Sequence, residues 1–192
     1  MTPLSYEKGK TKPPLLEYTI GEALRRAATQ WPDQLALVSR HQGVRLTWQE
    51  LNADVDRIAS GLIEQGVKKG DRVGIWAPNC AEWTVIQFAT AKIGAILVTI
   101  NPAYRLNEVE FALNKAGCTS LIVAPSFKAS DYIGMLNELG PTRLPLLQRM
   151  VSLGEEKRDG FVRWPDLRIE ADESDLARKG AACEPGEPIN IQ

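Results

Sequence analysis

The hydrophobic and polar positions of the chain form two alternating patterns, short apolar runs and apolar stripes at helical spacing. The run at residues 95–100 is almost continuously apolar and is bounded by Gly94 and Pro102, which predicts a central parallel strand covered on both faces. Comparable runs predict further strands at residues 72–76, 120–124, 149–153 and 189–191. Because helical stripes separate these runs, we expect an α/β fold with a mostly parallel sheet flanked by helices.

Two helix starts carry a threonine followed three residues later by a glutamate, which is the pattern of a capping box. Thr47 and Glu50 precede the most regular stripe in the chain, and Gly66 is placed to end that helix. Thr19 and Glu22 precede a second stripe. The two stripes consist of Leu51, Val55, Ile58 and Leu62, and of Ile20, Leu24, Ala27 and Trp31. Further helices are predicted at 81–92, 107–116, 130–139 and 174–182, and a hairpin at 35–46.

Composition changes along the chain and predicts three parts. Residues 1–18 contain three prolines and little periodicity, which indicates an extended N-terminal arm. Residues 19–153 carry the alternating strands and helices of an α/β subdomain. Residues 154–192 are predicted as an irregular segment and a proline-containing linker that leads to the last strand.

The charge balance and the cysteines limit the partners and the compartment. The chain carries 23 basic and 24 acidic side chains, and this balance does not favour a nucleic-acid partner. It has no apolar run near the roughly 18 residues of a membrane span, so we expect no transmembrane segment and no signal peptide. Cys80, Cys118 and Cys183 form no C-x-x-C pair, which favours a reduced, cytoplasmic protein.

The familiar catalytic patterns are missing from the sequence. It contains no G-x-x-x-x-G-K-[ST] phosphate loop, no G-x-G-x-x-G and no G-x-S-x-G. The single histidine, His41, lies in the predicted hairpin turn, and we interpret it as a solvated turn residue rather than a triad member or metal ligand. The residues alone therefore predict an α/β domain without catalytic or metal-binding residues of its own.

Several segments resemble the adenylate-forming enzymes. The sequence LTWQEL at residues 46–51 is similar to their first core motif, L-[TS]-Y-x-E-L, with Trp48 in place of tyrosine. Residues 91–102, AKIGAILVTINP, are similar to their second core motif, L-K-x-G-A-x-x-V-P-x-x-P. Gly70 to Val73, followed by Asn79, resembles the G-D-R-V-x-x-x-x-x-N segment of that family. Residues 101–110 and 127–139 are more similar to medium- and long-chain fatty-acid–CoA ligases than to peptide-synthetase domains.

This resemblance implies the N-terminal subdomain of the acyl-CoA synthetase-like fold. The parent enzyme would use ATP, Mg²⁺ and CoA to convert a fatty acid first to an acyl-adenylate and then to acyl-CoA. In the family, a loop of the form T-S-G-T-T-G-x-P-K holds the ATP phosphates and follows a strand like the one at residues 189–191. Because the sequence stops at Gln192, we expect an N-terminal fragment that is inactive alone, binds no cofactor, and has the remainder of its own chain as its partner.

Both core motifs are interpreted mainly as scaffold. Thr47 and Glu50 form a capping box, Gly94 lets a helix and a strand pack closely, and Pro102 ends the strand. Two cations are the remaining site candidates. Lys128 and Arg105 follow the carboxyl ends of predicted strands, where ligands of such sheets bind, and could meet a CoA phosphate. The alternative is that both are solvated loop cations.

Two other functions stay open at this point. An adenylating enzyme could load a carrier protein instead of CoA, or the chain could be a stand-alone, non-catalytic module that binds a partner through an exposed edge. A reading frame that continues past Gln192 into a T-S-G-rich loop would favour the ligase, and a stop codon there would favour the module.

Overall fold

The computed structural model describes residue 9 and residues 12–192. Helices and strands alternate through most of this part. In chain order the elements are α1 (Ile20–Gln30), β1 (Leu35–Ser39), a 3₁₀ turn (Arg40–Gln42), β2 (Val44–Thr47), α2 (Trp48–Glu64), β3 (Arg72–Trp76), α3 (Ala81–Ile93), β4 (Ile96–Ile100), α4 (Leu106–Ala116), β5 (Cys118–Val123), β6 (Ser126–Phe127), β7 (Ser130–Asp131), α5 (Tyr132–Arg143), β8 (Arg149–Ser152), β9 (Val162–Arg163), α6 (Trp164–Leu167), α7 (Glu173–Ala181) and β10 (Asn190–Ile191).

Six strands form one parallel sheet in the order β10-β4-β3-β5-β8-β9. The strand predicted as central is β4, which lies between β10 and β3, and the middle of the sheet is the β3–β5 pair. Strands β1 and β2 form the predicted antiparallel hairpin, with Gly43 at a φ of +67° in its turn. The predicted fold class, α/β with a mostly parallel sheet flanked by helices, is confirmed.

Helix α2 carries the largest part of the predicted helical core. Its stripe of Leu51, Val55, Ile58 and Leu62 is at most 1% exposed. The capping box is also confirmed, because the Glu50 backbone N–H donates to Thr47 Oγ1 at 3.2 Å and the Thr47 N–H donates to Glu50 Oε2 at 2.8 Å. Burying four such side chains stabilises the fold by about 1.5–3 kcal/mol each.

Helix α1 departs from the prediction in two ways. The Glu22 N–H donates to Thr19 Oγ1 at 3.2 Å, but the Glu22 carboxylate accepts from Arg25 and Arg26 instead of closing a capping box. Arginines one turn further along the helix compete for that carboxylate because i,i+3 and i,i+4 side chains are neighbours. Of the predicted stripe only Leu24 is fully buried, and its end residues Ile20 and Trp31 are 39% and 42% exposed.

Residues beyond 153 contribute to both edges of the sheet. Strand β9 pairs with β8 at one edge, and β10 pairs with β4 at the other. The predicted last helix and last strand are α7 and β10, whereas β9 and α6 were not predicted. The division of the chain at residue 153 stays a prediction, and residues 1–8, 10 and 11 of the predicted arm lie outside the described residues. No helix within the described residues has both the length and the apolar character that crossing a bilayer requires.

Candidate functional site

The carboxyl ends of β3, β4 and β5 lie at one edge of the sheet, because the strands are parallel. The loops that follow them, at residues 77–80, 101–105 and 124–125, therefore meet where the sequence analysis placed ligand binding. The chain passes from β3 to its neighbour β4 and then crosses back to β5 on the other side. The β3–β5 boundary is thus the switch point of the sheet, the usual ligand position in doubly wound folds.

An aromatic pair occupies the switch point. Trp76, the last residue of β3, is fully buried and stacks on Tyr132, with ring centroids 3.7 Å apart and an interplanar angle of 16°. The Tyr132 hydroxyl donates a 2.5 Å hydrogen bond to the Pro102 carbonyl, and burial raises the pKa of that hydroxyl, which keeps it protonated as a donor. The pair thereby connects the loop after β4 to the start of α5.

Lys128 lies in a tight hairpin beyond β5. Strands β6 and β7 pair antiparallel, and Lys128 and Ala129 form the turn between them. Lys128 has a φ of +54° and is the only non-glycine residue with a positive φ in the described part of the chain. Its side chain is exposed, and Nζ lies 5.3 Å from the centroid of the Phe127 ring.

Arg105 contacts the same hairpin. It is the N-cap residue of α4, and its backbone N–H donates to Glu108 Oε2 at 3.0 Å. Its guanidinium Nη1 donates to Ser130 Oγ at 2.5 Å, so the loop after β4 is joined to β7. In the part that the structure describes, neither Arg105 nor Lys128 forms an ion pair.

The structure thus brings the two predicted cations to one edge of the sheet, and it adds two residues that sequence reasoning missed. Ser130 was not identified because a strand of two residues shows no periodicity, and Tyr132 was not identified because its contacts with Trp76 and Pro102 depend on tertiary packing. The only available signal was Lys128 itself, since a lysine stands in a hairpin turn where glycine or asparagine is usual.

The N-terminus of α3 lies next to the same edge and is capped by Gln42 of the β1–β2 hairpin. The Ala81 N–H donates to Gln42 Oε1 at 2.7 Å, and Gln42 Nε2 donates to Glu82 Oε2 at 2.9 Å. The neighbouring His41 is exposed, with Nδ1 3.4 Å from Ser39 Oγ, as expected for a turn residue. The described residues hold no group of three or more His, Cys, Asp or Glu side chains arranged to bind a metal.

A cavity of about 720 Å³ lies at the opposite, amino-terminal side of the sheet, between α1, α2, α7 and the end of α3. Lys92 from the second motif lies in it, with a side chain 12% exposed. Its ammonium group forms an ion pair with Asp56 and donates to Asn52 Oδ1 at 2.8 Å, while Asn52 Nδ2 donates to Asp56 Oδ2 at 2.9 Å. The polar groups of these three side chains are all hydrogen-bonded within the cluster, which indicates a structural role for Lys92.

The second core motif forms the end of α3, the turn and β4. Gly94 in that turn has a φ of +72°, and a Cβ there would lie 2.9 Å from Lys69 Cγ and 3.0 Å from Cys183 Sγ. Any other residue would be strained here by the positive φ and would displace the side chains of Lys69 and Cys183. The first motif forms the end of β2 and the capped start of α2, so both motifs shape the scaffold.

Known proteins share this sequence and fold. The profile of the AMP-binding enzyme family matches residues 24–190. Mouse medium-chain acyl-CoA ligase ACSF2, a mitochondrial protein, is 48% identical over 107 residues, which cover 56% of this chain and 17% of that protein. The acyl-CoA synthetase-like protein YngI of Bacillus subtilis is 32% identical over 193 residues, covering 93% of this chain and 35% of YngI.

The solved acetoacetyl-CoA synthetase from Streptomyces lividans matches 83% of this chain and 26% of its own, with a TM-score of 0.71 and 27% identity. The chain therefore spans about a third or less of the length of each of these relatives. Since the family profile covers most of the sequence and the parallel sheet agrees with the solved fold, this chain belongs to the AMP-binding enzyme family and is related to the adenylate-forming acyl-CoA ligases.

Proposed function

We propose that this chain is the N-terminal part of an ATP-dependent fatty-acid–CoA ligase. In the proposed reaction a fatty-acid carboxylate attacks the α-phosphate of ATP and releases pyrophosphate, with Mg²⁺ and cations stabilising the charge. The CoA thiol then attacks the acyl-adenylate, and AMP leaves. The observation that carries this proposal is the match of residues 24–190 to the AMP-binding enzyme family, together with the 48% identity to a medium-chain acyl-CoA ligase.

Within that enzyme, we propose that Lys128 and Arg105 belong to the site that binds a phosphate group of CoA. Both side chains are exposed at the carboxyl edge of the sheet, and among the described residues neither is neutralised by a carboxylate. A phosphate is the ligand that two such cations favour, because charge-assisted hydrogen bonds to it are strong.

Residues 1–192 alone are proposed not to adenylate fatty acids. This proposal is supported by the sequence of residues 1–192, which contains no loop of the form T-S-G-T-T-G-x-P-K to hold the ATP phosphates. The purified 192-residue chain, mixed with ATP, Mg²⁺ and octanoate, should release no pyrophosphate, and release above a no-acid control would contradict the proposed inactivity.

A cytoplasmic location is also proposed and is supported by three unpaired cysteines.

The main test uses the protein encoded by the complete reading frame that contains residues 1–192. Octanoate is the first substrate because the mouse relative is named as a medium-chain ligase, and C6 to C18 acids follow. AMP release that requires both the acid and CoA is expected. Release that requires a phosphopantetheinyl carrier protein instead of CoA would favour the carrier-loading alternative.

The second alternative, a non-catalytic interaction module, is favoured by one surface. A groove of about 600 Å³ runs between α4 and β10, and it is lined by Tyr104, Phe111 and Ile191, of which Phe111 is 68% exposed. Such an apolar groove suits a protein partner. Absence of acid-dependent AMP release with either acceptor would favour this alternative over the ligase.

A further inference from the structure

The conformation of Lys128 sets it apart from the other cations of the chain. It is the first of two turn residues between β6 and β7, and its φ of +54° lies in the left-handed region that favours glycine. Strained positions of this kind persist where the surrounding structure fixes them, and they cluster at functional sites. The lysine side chain is therefore held in a backbone conformation that a glycine would adopt more easily.

The surrounding contacts show what fixes the hairpin. On the β7 side, Ser130 Oγ accepts from Arg105 Nη1 at 2.5 Å. At the start of α5, Tyr132 donates to the Pro102 carbonyl and stacks on Trp76. Both contacts attach the hairpin to the loop that follows β4.

The guanidinium of Arg105, unlike its backbone N–H, does not stabilise α4. A cation at a helix N-terminus faces the positive end of the helix dipole, which is unfavourable. The nearby carboxylates are engaged with backbone amides, Glu108 with the Arg105 N–H and Asp131 with the Gly134 N–H. A role outside α4 explains why an arginine stands at this position.

We propose that Arg105 is a positioning residue, whose guanidinium holds the β6–β7 hairpin through Ser130 so that Lys128 presents its ammonium group to a nucleotide phosphate. This deepens the proposed function and rests on its assignment of Lys128 to a CoA phosphate. Within that site Arg105 acts through Ser130, and Lys128 makes the direct contact with the phosphate.

The test titrates adenosine 3′,5′-bisphosphate into the 192-residue chain and follows the backbone amides of the hairpin by NMR. Lys128→Gly should weaken binding about tenfold, the loss of one charge-assisted contact. Arg105→Gln and Ser130→Ala should each weaken it about fivefold, and the double variant should weaken it no further, because the two residues act as one unit. Ser130→Thr keeps the hydroxyl and should restore binding.

Two results would overturn the positioning role. If Ser130→Ala binds like the wild type while Arg105→Gln is weaker, Arg105 contacts the phosphate directly. If the losses of the two single variants multiply in the double variant, the residues act independently.

A second readout separates this inference from the proposed function. The intraresidue HN–Hα NOE of Lys128, measured without ligand, is strong at a positive φ because the two protons are close, and it should weaken in Arg105→Gln and Ser130→Ala. An unchanged NOE in both variants would show that the Arg105–Ser130 contact does not fix the hairpin. If the wild type fails to bind the bisphosphate, the phosphate role of Lys128 is wrong, and the NOE still decides whether Arg105 positions the hairpin.

Discussion

The lysines at the two edges of the sheet differ in burial and in pairing. At the amino-terminal edge Lys92 is 12% exposed, lines a cavity, and is satisfied by Asp56 and Asn52. At the carboxyl edge Lys128 is exposed, forms no ion pair among the described residues, and has a strained backbone. The cavity beside Lys92 is a candidate binding site by its volume, but the Lys92 charge in it is already neutralised by Asp56. The unsatisfied charge is at the other edge, where the switch point lies.

The largest effect on stability is expected for Lys92→Met, which keeps the side-chain length and removes the charge. Asp56 would then be left unpaired in a partly buried site. Removing one partner of a buried pair costs about 3–5 kcal/mol, and the 12% and 23% exposures of the two side chains reduce this to about 2 kcal/mol. Urea unfolding monitored by tryptophan fluorescence measures the change.

Lys128→Met is the matched control and should leave the unfolding midpoint within error. The Lys92→Met/Asp56→Leu double variant should recover most of the loss, since no unpaired charge remains. Equal losses for Lys92→Met and Lys128→Met would remove the contrast between the two edges.

The next prediction compares alanine substitutions at two glycines that line the same cavity. A Cβ on Gly21 of α1 would lie 2.9 Å from Lys92 Cγ and 3.2 Å from Lys92 Cα, so α1 must move away from α3. We expect Gly21→Ala to lose about 1 kcal/mol, because overpacking outweighs the gain in helix propensity. On Gly180 of α7, a Cβ meets only the Lys92 carbonyl oxygen at 3.9 Å, so Gly180→Ala should gain about 0.5 kcal/mol. Thermal unfolding by circular dichroism checks both, and a gain for Gly21→Ala would show that α1 is not fixed against Lys92.

A smaller effect of opposite sign is expected at the carboxyl edge. Lys128→Gly should relieve backbone strain of about 1–2 kcal/mol, part of which is offset by the larger unfolded-state entropy of glycine. The net result should be a gain of about 0.5 kcal/mol in the free energy of unfolding measured in urea, together with about tenfold weaker bisphosphate binding. Lys157 lies in a loop without a positive φ, so Lys157→Gly should instead lose about 0.5 kcal/mol. A stability loss for Lys128→Gly would mean that the left-handed conformation carries no strain.

The same comparison shows what sequence could predict. Helix α2 was predicted in detail, because a capping box, a regular stripe and a terminal glycine all indicated the same element. Of the five predicted strands of the parallel sheet, β3, β4 and β5 were found because buried strands form apolar runs. The candidate site could be placed only as far as Lys128 and Arg105. The contact of Arg105 with Ser130 and the stack of Trp76 on Tyr132 depend on tertiary packing between short segments, which leave no periodic pattern.

The smallest effect concerns an ion pair that is more exposed than the Lys92–Asp56 pair. Glu110 of α4 and Arg143 of α5 form an ion pair at 2.5 Å, joining the helices that follow the Arg105 loop and the Lys128 hairpin. The Arg143 guanidinium holds the pKa of Glu110 below its usual range. A carboxyl group whose pKa is lower in the folded state stabilises the fold above its unfolded pKa, and that stabilisation disappears as the pH falls through the folded pKa. The melting temperature of Glu110→Gln should therefore lie slightly below the wild type at pH 7, and the two should converge at acidic pH, once Glu110 is protonated in both states. Added salt should narrow the difference in melting temperature at pH 7, because salt screens ion pairs near the surface.

The control is Glu170→Gln, at an exposed glutamate that forms no ion pair in the described chain. Its melting temperature should equal that of the wild type at both pH values. A Glu110→Gln difference that persists unchanged at acidic pH would show that packing of the side chain, rather than its charge, joins α4 to α5.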